Sequence, residues 1–215
     1  MILIFLGPPG SGKGTQAKRL MSHRSWPQLS TGDMLRASIS KGSALGMEAK
    51  KYMDQGHLVP DLVVVGMIAE RIQEPDCRSG FILDGFPRTL PQAKSLDVML
   101  AARNLSVDVV VEFQIKDSEL LGRLSGRRTC SKCGTLYHIH TSPPQVSGIC
   151  DVCGSDVIQR ADDQESVIQK RLKVYHELTA PLVRFYSEQG KLRAIDASVS
   201  MAAVDVSVHD ALGIA

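Results

Sequence analysis

Gly7-Pro8-Pro9-Gly10-Ser11-Gly12-Lys13-Gly14-Thr15 decides the fold of this 215-residue chain. The stretch matches G-x-x-x-x-G-K, a loop whose backbone N–H groups can turn inward around a phosphate, with the positive end of a following helix behind them. Lys13 adds a point charge for the terminal phosphates. Before the loop, the apolar run Ile2–Leu6 has the length and β-branched content of a buried strand; after it, Ala17, Leu20 and Met21 recur at helical spacing over residues 15–21. Strand, phosphate loop and helix together open a P-loop unit, and a ligand-free glycine turn is the weaker reading. The loop departs from the usual pattern at one position. Gly14 stands where Ser or Thr normally ligates Mg²⁺, and the hydroxyl arrives one residue later, at Thr15. That departure, with the absence of an N-K-x-D motif, argues against a generic GTPase.

Working outward, residues 81–83 (ending on Asp84), 107–113 and 192–195 read as further buried strands, and 62–71 and 166–186 as helices between them. Strands separated by helices predict an α/β fold, a P-loop NTPase-type parallel sheet flanked by helices. Two stretches break the rhythm. Residues 30–59 read as short helices punctuated by Gly42, Gly46 and Gly56, with no strand. Residues 127–163 hold four paired cysteines and Pro143-Pro144 but few large apolar side chains, so they need another staple. Both are expected to be insertions on a core of 1–29, 60–126 and 164–215. The tail after Ser198 carries no clear pattern.

Composition sets bounds. A net charge of +2, from 25 basic and 23 acidic residues, lacks the positive excess of a duplex binder. No run could span a bilayer, and the six apolar residues at the start are too few for a signal peptide. The expectation is a soluble, cytoplasmic protein with neither nucleic-acid nor membrane partners. The cysteines agree with a reducing compartment, because their spacing fits metal rather than disulfides. Cys130-x₂-Cys133 and Cys150-x₂-Cys153 stand 16 residues apart, each pair followed by a glycine, Gly134 or Gly154, for the knuckle turn. Four thiolates close a tetrahedron and predict one structural Zn²⁺. His138 and His140 then read as strand residues, and Cys77 as a packed free thiol. A zinc ribbon that binds nucleic acid is the alternative from another functional class. Arg127-Arg128 favours it, but Lys132 and Tyr137 are the one lysine and one aromatic between Cys130 and Cys153, too few for a stacking platform.

Residues 7–16, Ser30-Thr31-Gly32-Asp33-Met34-Leu35-Arg36 and Leu83-Asp84-Gly85-Phe86-Pro87-Arg88-Thr89 together resemble the adenylate kinase family, over about residues 1–196. The shifted Gly14-Thr15 is a mark of that family, and the cysteine insertion is similar to the lid of its long bacterial members. The resemblance implies a monomer that catalyses MgATP + AMP ⇌ 2 ADP by direct in-line transfer. It implies an ATP site of Gly10, Ser11, Gly12, Lys13, Gly14, Thr15, Arg123, Arg127 and Tyr137. On the AMP side it implies Thr31, Arg36, Val59, Gly85, Arg88 and Gln92, with Arg160 and Arg171 meeting the transferring group. Asp84 ends an apolar strand, where a P-loop fold puts the carboxylate that faces Mg²⁺. Ser30-x-x-Asp33 also reads as a capping box, which does not compete with anion binding at the same helix end.

The AMP phosphate is already an anion, so the reaction needs positioning and charge neutralisation rather than a general base. Lys13, Asp84, Arg88, Arg123, Arg160 and Arg171 form the expected catalytic set, while Arg128 and Arg184 read as solvated. Other monophosphate kinases, acting on UMP or CMP or taking GTP as donor, are the alternatives within enzymes. The Gln92 amide, a donor beside an acceptor, suits an adenine edge.

Overall fold

The computed structural model describes residues 1–214. The chain runs β1 (Ile2–Leu6), α1 (Lys13–Arg24), β2 (Gln28–Ser30), α2 (Thr31–Ser40), α3 (Ala44–Met53) and α4 (Asp61–Arg71). It continues through β3 (Phe81–Asp84), α5 (Leu90–Ala101), β4 (Val109–Gln114) and α6 (Asp117–Ser125). After these come β5 (Arg127–Cys130), β6 (Leu136–His138), β7 (Val157–Ile158), α7 (Glu165–Val174), α8 (Pro181–Glu188), β8 (Leu192–Asp196) and α9 (Met201–Leu212). None of the described helices is long and apolar enough to cross a membrane.

The sheet is all parallel, in the order β2-β3-β1-β4-β8. All of β1 is buried because alternate side chains enter cores on opposite faces. Ile2, Ile4 and Leu6 join a cluster with Ile68 of α4, Leu96 of α5 and Tyr186 of α8. Leu3 and Phe5 meet Leu20 of α1 and Val208 of α9 on the other face. Parallel strands bring their C-terminal ends to one edge, so Gly7, Ser30 and Asp84 open onto the same crevice.

Three parts differ from the sequence reading. β2 is a strand of only three residues, Gln-Leu-Ser, too short and polar to show a period. The helix expected over 166–186 is α7, a π-helical turn over Tyr175–Thr179, and α8. Pro181 opens α8 without an N–H to give, and the turn before it closes through Ala180 N–H to Tyr175 O (2.9 Å). The stretch after Ser198, patternless in the sequence reading, contains the helix α9 (Met201–Leu212). Ser200 caps α9 by accepting from Ala203 N (3.3 Å), and Val204, Val208 and Leu212 are buried one helical turn apart. Exposed Met201 and Val206 on the same helix hide that stripe from a reading of hydrophobicity. Residues 127–163 build a separate antiparallel sheet, β6-β5-β7.

Candidate active site

The phosphate loop closes on its own lysine. Lys13 Nζ donates to Gly7 O and Pro8 O (both 2.7 Å) and lies 3.3 Å from Ser11 Oγ. Gly10 has φ +86°, and a Cβ there would come within 2.8 Å of Leu124 on α6, so only glycine fits. The odd Gly14 has a packing cause. A Cβ at that position would stand 3.2 Å from Asp84 Oδ2, which already accepts from Gln28 Nε2 (2.7 Å). Moving the hydroxyl to Thr15 keeps this strand-end carboxylate accessible beside the loop.

The opposite wall begins at α2. Ser30 Oγ accepts from Asp33 N (3.3 Å), so half of the capping box forms. The Asp33 carboxylate instead takes Arg36 (2.7 Å) and faces Arg160 (3.9 Å). Thr31 Oγ1 and Arg88 Nε both donate to Gly85 O, at 2.7 and 2.8 Å, which pins Arg88 over the turn after β3. Gln92, only 2% exposed, accepts from Arg88 N through Oε1 (2.7 Å). Val59 is buried and lines the same cleft.

The third wall comes from the root of the small sheet. Asp163 is fully buried and accepts from Arg127 Nε (2.8 Å) and Nη2 (2.6 Å) and from Arg171 Nη1 (3.1 Å). Asp162 pairs with Arg171 (3.1 Å) and reaches Arg36 (4.0 Å). Arg123 donates to Ala197 O (3.0 Å). Arg160 Nε is buried with no hydrogen-bond partner among the described residues.

Eight Lys and Arg side chains line this cleft against three carboxylates, Asp33, Asp84 and Asp162. The imbalance shows in their acidities. Burial pushes Lys13 down to about 8, with Asp84 opposing and Arg88 adding to the effect. Burial also takes Arg88 and Arg160 down to about 10, helped by neighbouring guanidinium groups. Burial alone would raise Asp162, but Arg171, Arg36, Arg127 and Arg160 outweigh it and hold the carboxyl below its ordinary value. Such a cleft is completed by a polyanion.

Sixteen of the expected nucleotide-site residues meet in this one cleft: Gly10, Gly12, Lys13, Gly14, Thr15, Thr31, Arg36, Val59, Asp84, Gly85, Arg88, Gln92, Arg123, Arg127, Arg160 and Arg171. Ser11 is buried behind the loop. Tyr137 lies away from the cleft. Its side chain is buried in the small sheet, where the hydroxyl donates to Cys150 Sγ (3.4 Å) and accepts from Asp151 N (2.8 Å). Arg184 is solvated and paired with Glu188, whereas Arg128 is half-buried and donates to Ser125 O (3.0 Å). Cys77 is a buried free thiol that receives Arg71 Nη1 (3.2 Å). The sequence reading gave no role to Asp162, Asp163 or Gln28. The acid pair directly after Arg160 was the available signal.

Cys130, Cys133, Cys150 and Cys153 bring four sulfurs within 4.8 Å of one another, and all four thiols are free. Cys133 N donates back to Cys130 Sγ (3.4 Å), the amide-to-sulfur bond of a knuckle. Tyr137 holds the Cys150 thiol down at about 6. Cys130 accepts the Cys133 amide but is desolvated among neighbouring sulfurs, and is pushed up to about 11. The donor set is positioned to bind a metal ion, and a cation would let all four ionise together. His138 ends β6, with Nδ1 accepting from His140 N (3.2 Å) and Thr141 N (3.3 Å).

The family model described as adenylate kinase matches residues 5–191. The chain is 54% identical to an adenylate kinase of Syntrophobacter fumaroxidans, covering 99% of this chain and all of that one. It is 49% identical to one of Moorella thermoacetica, covering 99% and 98%. With one of Archaeoglobus fulgidus it shares 51%, over 91% and 90% of the two chains.

The depressed Lys13 has a measurable consequence. In the ligand-free protein its ammonium costs stability below about pH 8, and the cost is relieved as pH rises from about 8 towards 10.5. A bound phosphate chain restores the proton. ATP binding at pH 8.5 should therefore take up about half a proton or more, and affinity should fall as pH rises past 8. Calorimetry in two buffers of different ionisation heat reads this directly. Proton uptake should vanish in Lys13→Met, and no uptake in the native protein would contradict the assignment.

Proposed function

The chain belongs to the adenylate kinase family, and we propose that its cleft carries out the reversible reaction MgATP + AMP ⇌ 2 ADP. The observation that carries this reading is the excess of cations over carboxylates lining one cleft, with the Arg160 Nε donor left unpartnered among the described residues. In this reading the ATP phosphates lie on the loop side, on Gly10 to Thr15, Lys13, Arg123 and Arg127. AMP lies on the other side, its phosphate on Arg36 and Arg88 and its base towards Gln92, Val59 and Thr31. Arg160 and Arg171 reach the group in transit. An oxygen of the AMP phosphate attacks the γ-phosphorus as the bond to the β-phosphate oxygen breaks, and the electron pair leaves with ADP. No proton must move, which fits a cleft rich in guanidinium groups.

Such fixed donors act in a water-poor site without reorganising, and an arginine at the transferring group is worth about 10³–10⁵ in rate. Asp84 suits a divalent cation, because Gly14 leaves open the space a Cβ would fill beside Oδ2. Mg²⁺ held there with ATP would neutralise phosphate charge. We read 30–59 as the acceptor insertion and 127–163 as a lid that excludes water, with the core in 1–29, 60–126 and 164–215. The four-sulfur set favours Zn²⁺, held as a structural ion by Cys130, Cys133, Cys150 and Cys153. One chain supplies every wall of the cleft, which supports action as a monomer. The balanced charge supports small nucleotides over nucleic acid, and the thiol chemistry supports a cytoplasmic setting.

A coupled assay across AMP, GMP, CMP and UMP should give the highest kcat/KM with AMP; a better rate with any other acceptor would overturn the assignment. Metal analysis should find about one zinc per chain. Chelation should lower the melting temperature, and a metal-free protein of unchanged stability would remove the structural ion from the account.

A further inference from the structure

We propose that Asp61 is the residue that sets acceptor specificity, by locking the polarity of the Gln92 amide against a half-turn flip. Asp61 stands at the first position of α4, and its two oxygens join that helix to the start of α5. Oδ2 accepts from Thr89 Oγ1 (2.8 Å), and Oδ1 accepts from Gln92 Nε2 (2.6 Å). Thr89 is the N-cap of α5, and its Oγ1 also accepts from Gln92 N (3.2 Å), so its one proton is spent on Asp61. A carboxylate only accepts, which requires the nitrogen of Gln92 on the Asp61 side. Arg88 N–H only donates, at 2.7 Å, which requires the oxygen on the other side. Rotating the amide by a half-turn would set oxygen against carboxylate and N–H against N–H, leaving two buried polar groups mispaired.

The consequence lies at the cleft. After these bonds the amide keeps one N–H on Nε2 and one lone pair on Oε1, on a side chain that lines the cavity. A 6-aminopurine offers an acceptor at N1 and a donor at its amino group, which is the complementary pair. A 6-oxopurine offers a donor at N1 and an acceptor at O6, the reverse pair. An unrestrained glutamine amide could serve either base by flipping. Held by Asp61 and Arg88, it serves only the first. Asp61 touches neither phosphate nor base in this account and acts as a positioning residue through Gln92. The inference rests on Gln92 facing the acceptor base.

The test uses the full chain and compares AMP with inosine monophosphate, which has the same ring size and the reversed edge. Asp61→Leu removes both acceptors. The ratio of kcat/KM for AMP over inosine monophosphate should fall at least about tenfold, the size expected when one buried polar mismatch is relieved. The change should appear in KM for the monophosphate, with KM for ATP within about twofold of the native value. Asp61→Asn should rescue the ratio to within about threefold, because its Oδ1 still accepts from Nε2 while its amide nitrogen donates to Thr89 Oγ1. Asp61→Ser, too short to reach Gln92, is read in the same way should the leucine variant not fold. A purely structural role would lower the melting temperature and leave the ratio alone, and an unchanged ratio in the folded variants overturns the proposal. Gln92→Leu separates the two readings. If it leaves kcat/KM for AMP intact, the placement of the base itself is wrong and Asp61 has nothing to orient. If it lowers that value while Asp61→Leu keeps the ratio, Asp61 alone is misassigned.

Discussion

The ion pair between Arg127 and Asp163 is the contact on which the rest of the cleft depends. Arg127 starts β5 and Asp163 closes the segment that returns from β7, so the pair ties together the two ends of the cysteine sheet. Asp163 has no accessible surface. A carboxylate in that position is several kcal/mol too costly unless it is fully paired, and here two nitrogens of Arg127 and one of Arg171 complete it. Because Arg171 belongs to α7, the same carboxylate fixes the small sheet to the core. One buried charge therefore fixes the wall that the small sheet and α7 contribute to the cleft.

From that root, the remaining charges cannot all be satisfied within the chain. Asp162 and Asp33 share Arg36, Arg160 and Arg171 between them, and Lys13 leans on carbonyl oxygens in place of an anion. A ligand carrying phosphates removes this deficit. On the proposed reading, a phosphoryl group passing between two nucleotides would be stabilised most where the arginines converge, so that binding and catalysis draw on the same charges. The four cysteines, positioned to bind a metal ion, would serve the same end, since a sheet with so few buried apolar residues needs a cross-link.

Much of this was legible in the sequence, because the informative residues are local. The phosphate loop, the strand ending on Asp84 and the cysteine pairs each sit within a few consecutive positions, and the chemistry of each is fixed by spacing. What stayed hidden depends on contacts between distant segments. Gln28 meets Asp84 across 56 positions and Asp61 meets Gln92 across 31, so neither pairing leaves a local signature. The α9 stripe of Val204, Val208 and Leu212 was masked by apolar residues on the exposed face of the same helix. Tyr137 has an aromatic ring that could stack on a base, yet its hydroxyl is committed to the sulfur cluster. Residue type alone does not distinguish those fates, and burial does.

The most direct measurement on this account is the turnover and stability of Asp163→Asn, made on the folded variant with MgATP and AMP. Neutralising the buried carboxylate leaves Arg127 and Arg171 facing an amide, and should cost about 3–5 kcal/mol of stability in the free protein. The guanidinium groups would then sit off their productive positions, and kcat should fall about a hundredfold. A variant with native stability and native kcat would contradict the claim that this one buried charge organises the site.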